Sequence, residues 1–241
     1  MNLVIDIGNT LAKVAVFKEN TLILKENTDK ENLLEVLGEN LKKYSISNAI
    51  FSSVGKIDDK DFAKIKQLCN LIVLNNSTKV PFKNFYSTPK TLGVDRIALV
   101  SGAASKFPKT NVLIIDAGSC ITYDFVNSKS EYYGGAISPG IEMRYRSVHE
   151  FTANLPKLSK TEIPSVGNST ENAIHLGVLN GVFLEMEGII EQYKQENRDL
   201  TIILTGGDTN FLAKNIKSSI FANSNFLLEG LNSILMYNLE E

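Results

Sequence analysis

Two short turns in the chain combine an aspartate with glycine and with hydroxyl or amide side chains, each directly after an apolar run. The first turn and its flank contain Asp6, Gly8, Asn9, Thr10 and Lys13. The second contains Asp116, Gly118, Ser119 and Thr122. An aspartate at the end of a buried strand can hold a metal ion near phosphate oxygens, and a glycine lets backbone amides approach the ligand. Because the turns recur at equivalent positions, we interpret both as phosphate sites and not as simple hairpin closures.

A third glycine turn follows another apolar run, at Leu204-Thr205-Gly206-Gly207. Gly206 and Gly207 offer the backbone amides and the space that a nucleotide base or ribose needs. By itself this turn says little, because junctions between strands and helices often contain glycine. The chain contains neither GxxxxGK[ST] nor GxGxxG, which excludes a P-loop and a Rossmann dinucleotide site.

The two phosphate turns lie in a duplicated pattern of strands. Residues 2–17 are NLVIDIGNTLAKVAVF and residues 111–126 are NVLIIDAGSCITYDFV, so each copy predicts a strand, a turn and a second strand. Helical patterns lie at about 33–44, 95–106, 170–195 and 226–239, and a further strand lies at 201–207. This alternation predicts an α/β fold of two related domains, residues 1–110 and 111–241, with a cleft between them.

Composition and charge narrow the classes of function. The 241 residues are 43% hydrophobic, which is enough for globular domains, and the formal net charge is -2. Lysine and arginine are spread along the chain, so we expect no nucleic-acid partner. No apolar stretch approaches the roughly 20 residues that span a bilayer, so we expect no membrane partner and a cytoplasmic protein. Cys69 and Cys120 form no CxxC pair, which argues against a zinc site or a disulfide framework.

Several segments of the chain resemble one family of kinases. The pattern DxGNTxxK at residues 6–13, the second Asp-x-Gly turn and the late TGG resemble the phosphate and adenosine motifs of the superfamily of sugar kinases, actin and Hsp70. Within it, further segments are similar in order and spacing to the type III pantothenate kinases. They are YSTP at 86–89, LGVDR at 92–96, GGAISPG at 134–140, TANLP at 152–156 and GNSTENAI at 167–174. The resemblance implies two ribonuclease H-like domains of the actin/Hsp70/sugar kinase type with a nucleotide cleft between them.

The resemblance also implies a reaction and the residues that perform it. Members of the family transfer the γ-phosphate of ATP to the primary hydroxyl of pantothenate, the first step of coenzyme A biosynthesis. The aspartate of the GVDR segment, Asp95, would be the general base. Mg²⁺ would arrive with ATP at Asp6, and Asp116 would bind a monovalent cation, K⁺ or NH₄⁺. The residues implied in binding pantothenate are Tyr86, Gly93, Asp95, Arg96 and Thr170.

Three of these residues also have plainer interpretations. Asp95 opens a predicted helix, where an aspartate often serves as the N-cap. Arg96 is the kind of residue that forms an ordinary ion pair at the surface. A single tyrosine in a loop, such as Tyr86, is more often a packing residue than a ligand contact.

The resemblance also bears on assembly, and three other classes of function compete with the kinase. Family members are dimers in which the partner subunit completes the pantothenate pocket, which implies a homodimer. The apolar helix from Thr170 supplies either part of that interface or part of the core of one subunit, and the sequence favours neither. The rivals are a non-catalytic nucleotide-binding regulator of the same fold, an ATPase of the actin or Hsp70 kind, and a sugar kinase. We favour the pantothenate kinase because Asp95 and the first turn are both kept, the chain is short for an actin-type ATPase, and the GVDR segment does not suit a sugar kinase.

Overall fold

A computed structural model describes residues 1–8, 11–53, 63, 65–66 and 69–240 of the chain. Asn9 and Thr10 of the first turn lie outside the described residues. The chain divides into two compact units. The first consists of Met1–Lys109, Lys129–Tyr133 and Asn225–Glu241, and the second of Thr110–Ser128 and Gly134–Ser224.

The first unit is built on a five-stranded sheet with the order β3-β2-β1-β4-β5. Its strands are β1 (Asn2–Ile7), β2 (Ala12–Lys18), β3 (Thr21–Thr28), β4 (Asn48–Ser53) and β5 (Asn70–Val73). Strands β1 and β2 are the predicted pair, and with β3 they form an antiparallel meander, while β4 and β5 continue the sheet in parallel. Helix α1 (Leu33–Lys43) buries Leu33 and Leu37 against the sheet, as its apolar spacing predicts.

The second unit repeats this strand order. Its strands are β7 (Asn111–Ala117), β8 (Cys120–Val126), β9 (Glu131–Pro139), β10 (Leu200–Thr205) and β11 (Phe221–Ala222), arranged as β11-β10-β7-β8-β9. A sixth strand, β6 (Lys83–Asn84), pairs with the start of β9, and both of these segments belong to the first unit. In both sheets the strand that carries the aspartate pairs antiparallel with the next strand of its hairpin and parallel with a strand from later in the chain. The predicted duplication is therefore confirmed at the level of topology.

Helices in the second unit cover its sheet and bury most of the apolar residues of its core. They are α3 (Ile141–Glu150), α4 (Thr170–His175), α5 (Gly181–Glu196) and α6 (Thr209–Ala213), with a π-helical turn (Leu176–Asn180) that joins α4 to α5. The predicted helix at 170–195 is thus one continuous segment, Thr170–Glu196. The five residues Val178, Leu179, Val182, Phe183 and Met186 are buried in this unit, which supports the core interpretation of the segment.

The expectation that no apolar stretch approaches membrane-spanning length is wrong. The segment Thr170–Glu196 is long and apolar enough to cross a bilayer by length and composition alone. The core helix of a soluble protein passes the same test, and Val182, Met186 and Ile190 are fully buried against the sheet. The segment therefore fits a core helix, and a soluble protein is consistent with it.

The last helix, α7 (Phe226–Leu239), belongs to the first unit although it ends the chain. It packs against α2 (Val94–Lys106), the helix that begins at the GVDR segment, and the two backbones come close at Gly102 and Gly230. A methyl group on Gly230 would lie 2.1 Å from the carbonyl oxygen of Ala98. The domain division at residue 110 remains a prediction, and the compact units depart from it because the apolar residues of α7 are buried against α2 and the first sheet.

Substituting Gly230→Ala should therefore lower the free energy of unfolding by about 1–3 kcal/mol, because backbone atoms cannot move aside as a flexible side chain would. Gly38→Ala in α1 is the matched control, since no atom lies within 4 Å of the added methyl group. The control should gain about 0.5–1 kcal/mol from its helix propensity. Urea denaturation of both variants measures the difference. Equal stabilities of the two variants would contradict the close approach of α2 and α7.

Candidate active site

Asp6 is buried near the end of β1, the central strand of the first sheet, and is only 3% exposed. The strand register places Lys13 of β2 on one side of it and Ser52 of β4 on the other. The Lys13 Nζ atom lies 3.6 Å from Asp6 Oδ2. Burial raises the pKa of Asp6, while the Lys13 charge and the neighbouring Ser52 hydroxyl lower it and the negative charge of Asp95 raises it. The Ser52 hydroxyl oxygen is itself buried and forms no hydrogen bond of ordinary geometry with the residues that the structure describes.

Asp95 lies in the first turn of α2, close enough to Asp6 for its charge to raise the pKa of that carboxyl. The helix begins at Val94, and its N-cap is Gly93, so the alternative role of Asp95 as the N-cap is wrong. The Asp95 Oδ1 atom accepts a hydrogen bond of 2.8 Å from the backbone N–H of Arg96. A Cβ on Gly93 would lie 2.4 Å from that same Oδ1 atom, so the glycine leaves the space that the carboxylate occupies.

Arg96 is buried, with 5% of its surface exposed, so the alternative interpretation as a surface ion pair is wrong. Its guanidinium carbon lies 5.6 Å from the centre of the Tyr86 ring, within the range of a cation–π contact. Tyr86 is half-buried and its ring also stacks on Tyr132. The first unit therefore brings together Asp6, Lys13, Gly93, Asp95, Arg96 and Tyr86 of the predicted site.

The second turn has a similar arrangement in the second unit. Asp116 near the end of β7 is flanked by Thr122 of β8 and by Thr205 of β10, in the positions that Lys13 and Ser52 occupy around Asp6. The Thr122 hydroxyl oxygen is buried and forms no hydrogen bond within the described part of the chain. A buried oxygen without a partner beside a carboxylate provides the ligands that a cation prefers, so these residues fit the predicted monovalent-cation site.

Two glycines outside the second turn hold its backbone in place. The N–H group of Gly140 donates to the Ser119 carbonyl oxygen at 3.2 Å, and a Cβ on Gly140 would lie 2.2 Å from the Gly118 carbonyl oxygen. Gly206 has a φ of +97°, and its Cβ would lie 2.5 Å from Asp116 Oδ1. Only glycine combines this backbone conformation with so close an approach. The TGG turn and the second Asp-x-Gly turn are therefore in direct contact.

Gly118 and Gly207 have a different environment, because no atom lies within 4 Å of a Cβ built on either residue. Protein packing does not account for a glycine at these positions. The Gly118 N–H donates to the Cys120 carbonyl oxygen at 2.9 Å, so what both glycines offer is open space beside the backbone. Such space is what the close approach of a nucleotide requires.

Thr170, the remaining predicted substrate contact, is the first residue of α4, whose N-cap is Ser169. It lines a groove of about 580 Å³ in the second unit, together with apolar residues of α3, α4 and the π-helical turn. Arg144 also lines this groove, and its guanidinium donates to Glu185 Oε2 at 2.5 Å. Sequence reasoning missed Arg144, although it lies only four residues after Gly140 of the GGAISPG segment.

A metal site built from protein ligands alone is not present in the part of the chain that the structure describes, since no three His, Cys, Asp or Glu side chains cluster there. Mg²⁺ that enters with ATP needs only one or two carboxylates, because phosphate oxygens and water complete its octahedron. Asp6, with Asp95 nearby, meets that requirement.

Solved structures with low sequence identity have the same fold as this chain. The chain has the fold of glucokinase from an Antarctic psychrotroph, with a TM-score of 0.54 at 12% identity and 98% of each chain covered. A protein from Campylobacter jejuni described as a Baf family transcriptional activator has the same fold, with a TM-score of 0.64 at 23% identity over 99% of this chain and 100% of that one. The predicted fold class, two ribonuclease H-like domains of the sugar kinase type, is confirmed.

The family model for type III pantothenate kinase matches residues 2–192. Over 240 residues the chain is 50% identical to the type III pantothenate kinase of Christiangramia forsetii, with 99% of each chain covered. It is 47% identical to that of Flavobacterium psychrophilum, with 98% of this chain and 99% of the relative covered. The chain belongs to the type III pantothenate kinase family.

The raised pKa of Asp6 leads to a prediction about stability. The folded state disfavours the ionised form of the Asp6 carboxyl, which lowers the free energy of unfolding at neutral pH. This destabilisation disappears as pH falls through the raised pKa towards the ordinary value near 3.8. Asp6→Asn should unfold at higher urea concentration than the parent at pH 7, and by a smaller margin at pH 4.5. Lys13 tolerates the loss of its partner because 38% of its side chain is exposed. A variant that is less stable than the parent at pH 7 would show that the Lys13 pair outweighs burial.

The two glycines of the TGG turn should respond differently to the same substitution. Gly206→Ala forces an alanine into a positive φ against the Asp116 carboxylate, and should cost about 1–3 kcal/mol of stability. Gly207→Ala adds a methyl group to open space and should change stability by less than about 0.5 kcal/mol. If nucleotide approaches this backbone, Gly207→Ala should still weaken ATP binding several-fold. Thermal unfolding and ATP titration separate the two effects, and unaltered ATP affinity would remove Gly207 from the nucleotide site.

Proposed function

We propose that this protein transfers the γ-phosphate of ATP to the primary hydroxyl of pantothenate and so forms 4′-phosphopantothenate, the first product of coenzyme A biosynthesis. Membership of the type III pantothenate kinase family supports this reaction. The structural observation that carries it is the proximity of two carboxylates in the first unit, the buried Asp6 and the helix-terminal Asp95. Phosphoryl transfer to an alcohol needs one group to accept the hydroxyl proton and another to hold the metal-bound phosphates.

Asp95 is the proton acceptor in this proposal. The hydrogen bond from the Arg96 N–H orients its carboxylate, and Gly93, which has no Cβ, leaves the space for that orientation. Arg96 binds the pantothenate carboxylate, for which its planar guanidinium is suited. Tyr86, Gly93 and Thr170 supply the remaining contacts with pantothenate. A homodimer in which the partner subunit completes the pantothenate pocket is part of the proposal, as the family resemblance implies.

The ATP phosphates are bound by the duplicated turns in this proposal. Mg²⁺ bound with ATP at Asp6 supplies positive charge to the phosphates, and Lys13 adds a second positive charge. The turn residues proposed to contact the phosphates are Gly8, Asn9, Thr10, Gly118, Ser119 and Thr122. Asp116 binds a monovalent cation, K⁺ or NH₄⁺, and Gly206 and Gly207 accommodate the adenosine.

The proposal extends to assembly and location. The second unit exposes large apolar side chains, among them Phe151, Val166 and Leu184, which a second copy of the chain would cover. We place the enzyme in the cytoplasm, with no nucleic-acid or membrane partner. The rival function, a non-catalytic regulator of the same fold, is not favoured, because the family is one of enzymes and both Asp6 and Asp95 are retained.

The test is release of ADP by the purified protein with and without pantothenate, in potassium and in sodium buffer. We expect ADP and phosphopantothenate, identified by mass, only with pantothenate present, and faster in potassium. Asp95→Asn should lower kcat at least about 100-fold with little change in KM, because general-base catalysis contributes about 10²–10⁴-fold. Asp199→Asn, at an exposed turn, is the control. Full activity of Asp95→Asn would remove this residue from the mechanism, and no product from a folded, nucleotide-binding protein would favour the regulator.

A further inference from the structure

Three aromatic rings and a guanidinium form one continuous stack in the first unit. The rings of Phe82 and Tyr132 meet edge to face, with ring centres 5.7 Å apart and planes at 78°. Tyr132 lies nearly parallel to Tyr86, with centres 6.2 Å apart and planes at 19°. The guanidinium of Arg96 lies over the Tyr86 ring at 5.6 Å. Tyr132 is fully buried, and Phe82 and Arg96 are less than one-tenth exposed.

A short parallel ladder fixes the two strands that carry these rings. Strand β6 (Lys83–Asn84) pairs with Glu131 and Tyr132 at the start of β9. The Phe85 N–H donates to the Tyr132 carbonyl oxygen at 2.8 Å, and the Tyr86 N–H donates to Asn84 Oδ1 at 3.0 Å. Backbone hydrogen bonds therefore hold the segment that contains Tyr86 beside Tyr132, although these two residues are distant in sequence.

The consequence for Arg96 follows from its flexibility. An arginine side chain has several rotatable bonds, so a guanidinium without support samples many positions and binds a carboxylate less well. Stacking on a ring restricts the guanidinium plane, but only if the ring itself is fixed. Tyr86 lies in a loop, and the partner that fixes its ring face is Tyr132, which is itself held by Phe82.

We infer that Tyr132 is a positioning residue for recognition of the substrate carboxylate, acting through Tyr86 on Arg96. This inference rests on the proposed function, in which Arg96 binds the carboxylate of pantothenate. The ring contacts of Tyr132 lead to Phe82 and, through Tyr86, to Arg96, so we expect its effect at the end of the substrate that carries the carboxylate. The enzyme should therefore distinguish pantothenate from its neutral primary amide partly through a residue that touches neither molecule.

The experiment compares kcat/KM for pantothenate with kcat/KM for the primary amide of pantothenate. In Tyr132→Leu the ratio of the two values should fall about tenfold, which is the range of a buried cation–π contact. The KM for ATP should change little. Tyr132→Phe keeps the ring and should keep the ratio, so this conservative variant should rescue the discrimination that leucine loses.

The next residue along the strand provides a matched control. Tyr133 is 61% exposed and stacks on Phe85, with ring centres 5.0 Å apart. Successive side chains of a strand point to opposite faces, so Tyr133 and Tyr132 lie on opposite faces of β9. Tyr133→Leu makes the same chemical change one position away and should leave the ratio at the parent value. A similar fall in Tyr132→Leu and Tyr133→Leu would overturn the inference, because it would trace the effect to the strand and not to the stack.

Two further results would overturn the inference. The first is an equal loss of kcat/KM for the acid and the amide in Tyr132→Leu, which is the signature of a merely structural role. The second is a parent enzyme that does not distinguish the two substrates. If Tyr132→Leu does not fold, Phe82→Leu removes the ring beneath Tyr132 and should lower the same ratio by a smaller factor, and an unchanged ratio there overturns the inference. If the parent enzyme phosphorylates pantothenate but the variants keep its ratio of kcat/KM values, the proposed function stands and only the role of Tyr132 is lost. An inactive parent enzyme would overturn both the proposed function and the inference.

Discussion

Burial of a carboxylate near the end of a central strand is the constraint on which the rest of this structure depends. Removing a charged group from water is costly unless polar groups compensate, and the protein accepts this cost at Asp6. Lys13 and Ser52 offset part of it, and each comes from a strand adjacent to β1. The sheet therefore does more than form a core, because its register selects the groups that surround the carboxylate. The same register places Thr122 and Thr205 around Asp116.

The two copies of this arrangement differ in the charged groups around the central carboxylate. The Lys13 Nζ atom lies 3.6 Å from Asp6 Oδ2, and a second carboxylate, Asp95, lies close by. Around Asp116 the flanking residues in the register are threonines, and Gly206 allows the backbone of the TGG turn to approach the carboxylate. This difference is the basis for proposing Mg²⁺ with ATP at Asp6 and a monovalent cation at Asp116. Duplication thus provides one geometry, and the flanking side chains determine its chemistry.

Much of the fold could be predicted from the sequence, because duplicated apolar runs and helical periodicity are local signals. Helix α7 was predicted at its observed position, and α2 differs by one residue at its start. The role of Ser52 could not be predicted, because a parallel pairing between β1 and β4 joins residues 46 positions apart, from Asp6 to Ser52, and no local pattern records its register. Tyr132 was missed for a similar reason, since a two-residue strand such as β6 has no periodicity to detect. The alternatives for Asp95 and Arg96 were resolved only by the position of the helix start and by burial.

The C-terminal helix has a consequence for how the protein is made. Domains generally fold in order as the chain emerges during synthesis, the N-terminal one first. Here the first unit lacks one of its helices until residue 239 has been synthesised, although its sheet is complete after residue 73. Until then the apolar face of α2, which begins beside Asp95, has no α7 to cover it. The residues of the second unit all precede α7, so this unit can fold earlier. The first unit, although its synthesis begins first, is the last to be completed.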